Sequence, residues 1–164
     1  MKKIGIFFGS ATGTAEDLAN RIAGKLGVDA ADVHNVANAS AATAGDYEVL
    51  LLGSSTWGYG ELQDDWFDFL NDLKGHVSGK KVGLFGCGDS SAYDDTFCDA
   101  VGIIYEELSG CGCTFIGAYT PEEYSYNESK AEVDGKLVGL CCDEVNEDDK
   151  TDDRMSTWIA ALGL

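Results

Sequence analysis

The segment "FGSATGTAED", Phe8 to Asp17, sets three hydroxyl side chains, Ser10, Thr12 and Thr14, among glycines and leads them into a helical pattern. The N–H groups of such a loop, with the positive end of the following helix dipole, form an anion site, and the hydroxyls add neutral donors. The loop matches neither G-x-x-x-x-G-K-[ST] nor G-x-G-x-x-G and holds no lysine or arginine, which excludes a nucleoside triphosphate or dinucleotide loop. A single phosphate monoester suits the donor set; the competing reading is a helix cap rich in Ser and Thr that binds nothing. Two further segments carry aromatics between small residues: "GSSTWGYGELQDDW" has Trp57 and Tyr59, and "GCGDSSAYDDTFCDA" has Tyr93. Either aromatic alone would more ordinarily pack a loop, but two from neighbouring loops can clamp a flat ring by stacking. Beside a phosphate loop they point to a planar ring joined to a phosphate.

These loops need strands to aim them. Apolar runs "KKIGIFF" (Lys2 to Phe8), "YEVLLLG" (Tyr47 to Gly53), "KKVGLFG" (Lys80 to Gly86) and "CTFIGAY" (Cys113 to Tyr119) are continuous rather than alternating, as in parallel strands buried on both faces, and a weaker run lies near Val33. Helical patterns fall between them at Ala15 to Leu26, Leu62 to Leu73 and Asp95 to Leu108, with a last one from about Thr151 to Ala161. The alternation predicts a doubly wound α/β fold: a five-stranded parallel sheet, order 2-1-3-4-5, with helices on both faces and its ligand at the carboxyl edge of the strands. After "CTFIGAY" the polar stretch "TPEEYSYNESKAEVDG" precedes another strand-like run, "KLVGLCC", so the last strand is expected to carry an insertion.

With 164 residues, 45% of them hydrophobic, one domain spanning 1–164 is expected. No apolar run reaches the roughly 20 residues of a membrane helix, and "MKKIGIFFGS" lacks the pattern of a signal peptide, so the expected location is the cytoplasm. A formal charge of -18 argues against nucleic acid or anionic membrane as a partner and suits a basic protein surface, though acidity also serves solubility alone. Six cysteines form no C-x-x-C pair; "CGC" and "CC" in strand-like runs point adjacent thiols to opposite faces and read as small buried side chains, not metal ligands. His34 and His76 are isolated from any motif.

Over essentially its whole length the sequence resembles a flavodoxin of the long-chain kind, which has an insertion in the fifth strand. The motifs are "GIFFGSATG" before a helix, "GSSTWGYGELQDDW", "GCGDSSAYDDTFCDA", "YSYNESKAEVDGKLVGL" and "TDDRMSTWI". The resemblance implies a monomeric electron carrier binding FMN noncovalently and cycling between semiquinone and hydroquinone. It also implies redox proteins as partners: a reductase-type donor and an electron-accepting enzyme. By the same resemblance Ser10, Thr12, Gly13 and Thr14, with the amide of Ala11, would hold the phosphate. Thr56 would approach the phosphate and ribityl chain, Trp57 would cover the inner ring face, and Tyr93 would stack on the outer face. Backbone groups of Gly58, Tyr59, Gly60, Gly88, Asp89 and Cys98 would meet the polar edge of the ring. Where the family usually ends its phosphate loop with threonine this chain has Ala15, which leaves open whether Thr14 supplies the missing hydroxyl.

Charge placement can be read without the resemblance. Lys2, Lys3, Lys80 and Lys81 begin strands, and Arg21, Lys25 and Lys74 lie late in helices that return to that edge; Glu16, Asp17, Glu61, Asp64, Asp65, Asp89, Asp94 and Asp95 crowd the other. The result is a dipole with its negative end around the proposed site, suited to steering basic partners. The alternative from another class is an FMN-dependent reductase acting on a quinone or similar substrate on the same fold. An aspartyl-phosphate receiver would need an acidic pair where this chain has "GS" after its first strand.

Overall fold

The computed structural model describes residues 2–10, 12–57 and 60–164, with Lys2 and Trp57 described by their backbone. Strand β1 (Lys2–Gly9) leads to helix α1 (Thr14–Leu26), β2 (Val33–Asn35), β3 (Tyr47–Trp57), β4 (Glu61–Leu62), α2 (Trp66–Leu73), β5 (Lys81–Cys87), α3 (Asp99–Leu108) and β6 (Thr114–Ile116). A hairpin of β7 (Glu132–Val133) and β8 (Lys136–Leu137) follows, then β9 (Leu140–Cys142) and α4 (Thr151–Leu162).

The main sheet runs β2-β1-β3-β5-β6, all parallel, with β4 antiparallel on the end of β3 and β9 parallel to β5. The expected fifth strand is present in two pieces on one neighbour: Lys81–Gly83 of β5 pair with Thr114–Ile116, and Phe85–Cys87 pair with Leu140–Cys142. The polar stretch is therefore an excursion from the edge strand, which leaves at Gly117 (φ +89°) and returns at Leu140.

The helices lie where apolar spacing puts one face on the sheet. In α1 the buried residues Ala15, Leu18, Ala19, Ile22 and Ala23 follow the i, i+3, i+4, i+7 rule, and Gly27 (φ +70°) closes the last turn by donating to the Ala23 carbonyl. In α2 the buried face is Trp66, Phe69, Leu70 and Leu73, each such burial worth roughly 1.5–3 kcal/mol.

Three boundaries differ from expectation. Leu62 is not the first residue of α2 but the partner of Thr56 in the β3–β4 hairpin. Helix α3 starts at Asp99 rather than Asp95, because Cys98 at φ +51° is left-handed and cannot continue a helical turn. Cys111 and Cys113 flank a turn at Gly112 (φ +88°) rather than a strand; Cys141 and Cys142 do lie in a strand, in β9.

Candidate functional site

At the carboxyl ends of β1, β3 and β5 the loops enclose a cleft of about 320 Å³, within the size range of small-molecule sites. It is lined by Thr12, Thr14, Ser55, Thr56, Cys87, Gly88, Asp89, Tyr93, Thr96, Glu144 and Val145. Six of these were expected from sequence: Thr12, Thr14, Thr56, Gly88, Asp89 and Tyr93. Ser10, Gly13, Ala15, Gly60 and Cys98 were expected too but are not among the lining residues. Ala11, Gly58 and Tyr59, and the Trp57 side chain, lie outside the described residues.

Several of these residues shape the loops around the cleft. Ser10 Oγ accepts from the Gly13 N–H at 2.9 Å, a local turn that leaves the Ser10 hydrogen as a donor. Gly13 sits at φ +92°, and Ala15 is wholly buried on the helix face that meets the sheet. Helix α1 opens without a side-chain cap, so its first-turn N–H groups face the loop with no partner inside the helix. Gly9 lets the second loop approach the first: a Cβ there would meet Gln63 Oε1 at 2.5 Å and Trp66 at 2.6 Å, and Trp66 Nε1 donates to Gly53 O at 2.8 Å.

Thr56 belongs to strand β3, not to a loop. Its Oγ1 accepts from the Ala100 N–H at 3.1 Å, which frees its own hydrogen to donate. Gly60 (φ +94°) presses against α3, where a Cβ would lie 2.5 Å from Asp99 Oδ2. Asp99 is buried, and burial pushes its pKa above the ordinary carboxylate value, against the pull of the Lys130 N–H and ammonium.

The near end of the loop carrying Tyr93 is held by Asp143. This buried carboxylate accepts from the Ser90 N–H at 3.0 Å and the Ser90 hydroxyl, and from the N–H groups of Val145 (3.1 Å) and Asn146 (2.9 Å). Burial pushes its pKa up, but the bonds from Ser90 and Asn146 outweigh burial and hold it below the ordinary value. Asp89 Oδ1 accepts from the N–H groups of Ser91 and Ala92 and from Asn146 Nδ2, so its side chain is occupied in the turn. Tyr93 is 49% exposed and offers a free ring face at the rim. Cys87 lies in the floor, where burial raises its thiol to about 12 and keeps it neutral.

Glu144 and Val145 were missed because they follow the second half of a split strand, whose register only the assembled sheet reveals; the run "LCCDEV" was the available signal. Arg21 also departs from expectation. Placed with the distant cations from sequence, it bonds Glu144 Oε1 at 3.1 Å and Asp152 Oδ1 at 2.9 Å, neutralising an acid of the cleft. No Lys, Arg or His is among the described residues that line the cleft. Cys87, Cys98, Cys111, Cys113, Cys141 and Cys142 are all free thiols, and no metal-binding cluster occurs among the described residues. No described helix is long and apolar enough to cross a membrane.

Residues 6–158 match the family model described as Flavodoxin. The chain is 42% identical over 162 residues to a flavodoxin of Nostoc sp., covering 98% of this chain and 95% of that one. It is 40% identical to flavodoxin 1 of Azotobacter vinelandii, covering 99% and 96%. Among solved structures it resembles the Fusobacterium nucleatum flavodoxin bound to flavin mononucleotide, with TM-score 0.87, 31% identity and coverage of 98% and 96%. Oxidised flavodoxin 2 of Bacillus cereus gives TM-score 0.72 at 31% identity, covering 98% and 97%.

Proposed function

This chain belongs to the flavodoxin family, electron-transfer proteins rather than enzymes, and we propose that it holds FMN noncovalently in the carboxyl-edge cleft and carries single electrons between redox proteins. The observation that carries the reading is the donor set. One end of the cleft offers hydroxyls and uncapped helix N–H groups with no cation, which fits a phosphate monoester; the other offers Tyr93 and the Cys87 floor, which fit a flat ring. When bound, FMN supplies one-electron redox chemistry.

The chain's own residues supply the rest. Thr12, Thr14 and the first-turn amides of α1 hold the phosphate, with Ser10 and Gly13 setting the turn. Thr14 takes the place of the hydroxyl absent at Ala15, whose side chain is buried against the sheet. Thr56 donates from the end of β3, and Tyr93 shields the outer ring face from water. Trp57, Gly58 and Tyr59 complete the inner side, as the family resemblance assigns. Exposed acids around this edge, Glu61 in β4 and Asp64, Asp65, Asp94 and Asp95 on the connections, make basic surfaces of redox proteins the fitting partners. The chain acts as a monomer in the cytoplasm.

Titration of the purified chain with FMN, riboflavin and FAD tests the reading. FMN is expected to bind far more tightly than riboflavin, and FAD poorly. Thr12→Val should weaken FMN by about 1–3 kcal/mol, the usual cost of a lost hydrogen bond to a charged group, and leave riboflavin unaffected. Equal affinities for FMN and riboflavin would reject the phosphate site.

A further inference from the structure

Three carboxylates converge on Arg21, in the middle of α1. Its Nη1 lies 3.1 Å from Glu144 Oε1 and 3.6 Å from Asp17 Oδ2, and its Nη2 lies 2.9 Å from Asp152 Oδ1. The bond to Asp152 and the three nearby charges outweigh burial and raise the guanidinium pKa above its ordinary value. The three acids are not equivalent. Asp17 and Asp152 are 65% and 72% exposed, whereas Glu144 is 23% exposed and lines the same cleft as Thr12 and Thr14.

A cleft whose donors suit a phosphate therefore has a carboxylate in its wall. Every phosphate donor placed above is neutral, so none of them offsets that charge. Arg21 is not a lining residue, yet among the described residues it is the cation that bonds Glu144. A partly buried charge is screened by salt much less than an exposed one, so a bare Glu144 would repel an anionic ligand.

We propose that Arg21 is the counterion that silences Glu144 and thereby sets the cleft's preference for a phosphate ester over a neutral ligand. Arg21 is a positioning residue here: it acts through Glu144 and does not touch the ligand. The proposal rests on the FMN reading. It explains how a cleft lined by no cation accepts a doubly charged group beside an acid. It also differs from a purely structural role, in which Arg21 only ties α1 to α4 and to the connection after β9.

The test is titration of the full chain with FMN and with riboflavin, which keeps the ring and lacks the phosphate, at low ionic strength. The variants are Arg21→Gln, Glu144→Gln, the two together, and Asp152→Asn, which removes a bond to Arg21 at an acid outside the cleft lining. Arg21→Gln should weaken FMN about fivefold, the scale of one uncompensated charge acting across a partly exposed cleft, and leave riboflavin unchanged. Added salt should shrink that loss. The double variant should recover the parent's FMN affinity, and Asp152→Asn should bind both ligands as the parent does. Equal weakening of FMN and riboflavin by Arg21→Gln would overturn the proposal, since it marks a structural tie. So would an unchanged FMN affinity in Arg21→Gln, or a double variant as weak as Arg21→Gln alone. Should Arg21→Gln fail to fold, Glu144→Gln decides: it should tighten FMN relative to riboflavin, and an unchanged or lowered ratio would overturn the proposal. A parent chain that takes up no FMN would instead overturn the reading beneath it.

Discussion

Asp143→Ala is expected to remove about 3 kcal/mol of folding stability at neutral pH, measured by urea denaturation without added FMN. The carboxylate is fully buried and takes bonds from Ser90 twice and from Val145 and Asn146. Hydrogen bonds to a charged group are worth about 1.5–3 kcal/mol each, and truncation leaves buried donors without an acceptor. Asp143→Asn should lose less, because the amide oxygen keeps part of the set. The pH dependence has a definite sign. Asp143 has its pKa lowered in the fold, so its stabilisation is complete above the unfolded value of about 3.9 and is lost as pH falls through the lower folded value. The gap between parent and Asp143→Asn should therefore be constant near neutrality and close in acid. A loss under 1 kcal/mol for Asp143→Ala, or a gap that widens in acid, would refute Asp143 as the anchor of the near end of the Tyr93 loop.

Replacing Asp64, Asp65 and Asp94 together with lysine should slow electron transfer to a basic acceptor, such as a c-type cytochrome, by 10-fold or more at low ionic strength, with the difference shrinking as salt is added. All three are exposed and lie on connections at the carboxyl edge. Steering by such charges raises association rates by about 10–10³, and it is screened beyond about 8 Å at physiological ionic strength. Asp95 is left in place because it holds Asn127. Stopped-flow rates that match the parent across a salt series would remove steering from the account.

Much of this architecture was legible because two signals agreed. Continuous apolar runs marked the buried parallel strands, and amphipathic spacing such as Trp66, Phe69, Leu70 and Leu73 marked the helices. The hydroxyl-rich loop from Ser10 to Thr14 is recognisable in the sequence because its donors are local, and Thr12 and Thr14 line the cleft. Other features required the assembled chain. Thr56 looked like a loop residue because Ser54, Ser55 and Thr56 break the apolar run, yet Ser54 is satisfied in the strand by the Gln63 N–H and the Ser55 carbonyl. Helix α3 was read one turn too long because the acids at Asp94 and Asp95 resemble a helix start, whereas the left-handed Cys98 sets the true one. Glu144 and Arg21 met only through the pairing of β9 with β5, a contact between residues 123 apart that no local pattern encodes.

The central claim is that this cleft binds FMN and tunes it for single-electron transfer. A reductive titration of the FMN-loaded chain against reference dyes measures this directly. The acids around the edge and the absence of cations among the described lining residues oppose added negative charge on the ring. The account predicts two resolved one-electron steps, the second at a potential below that of free FMN. A single two-electron step at the potential of free FMN would contradict it.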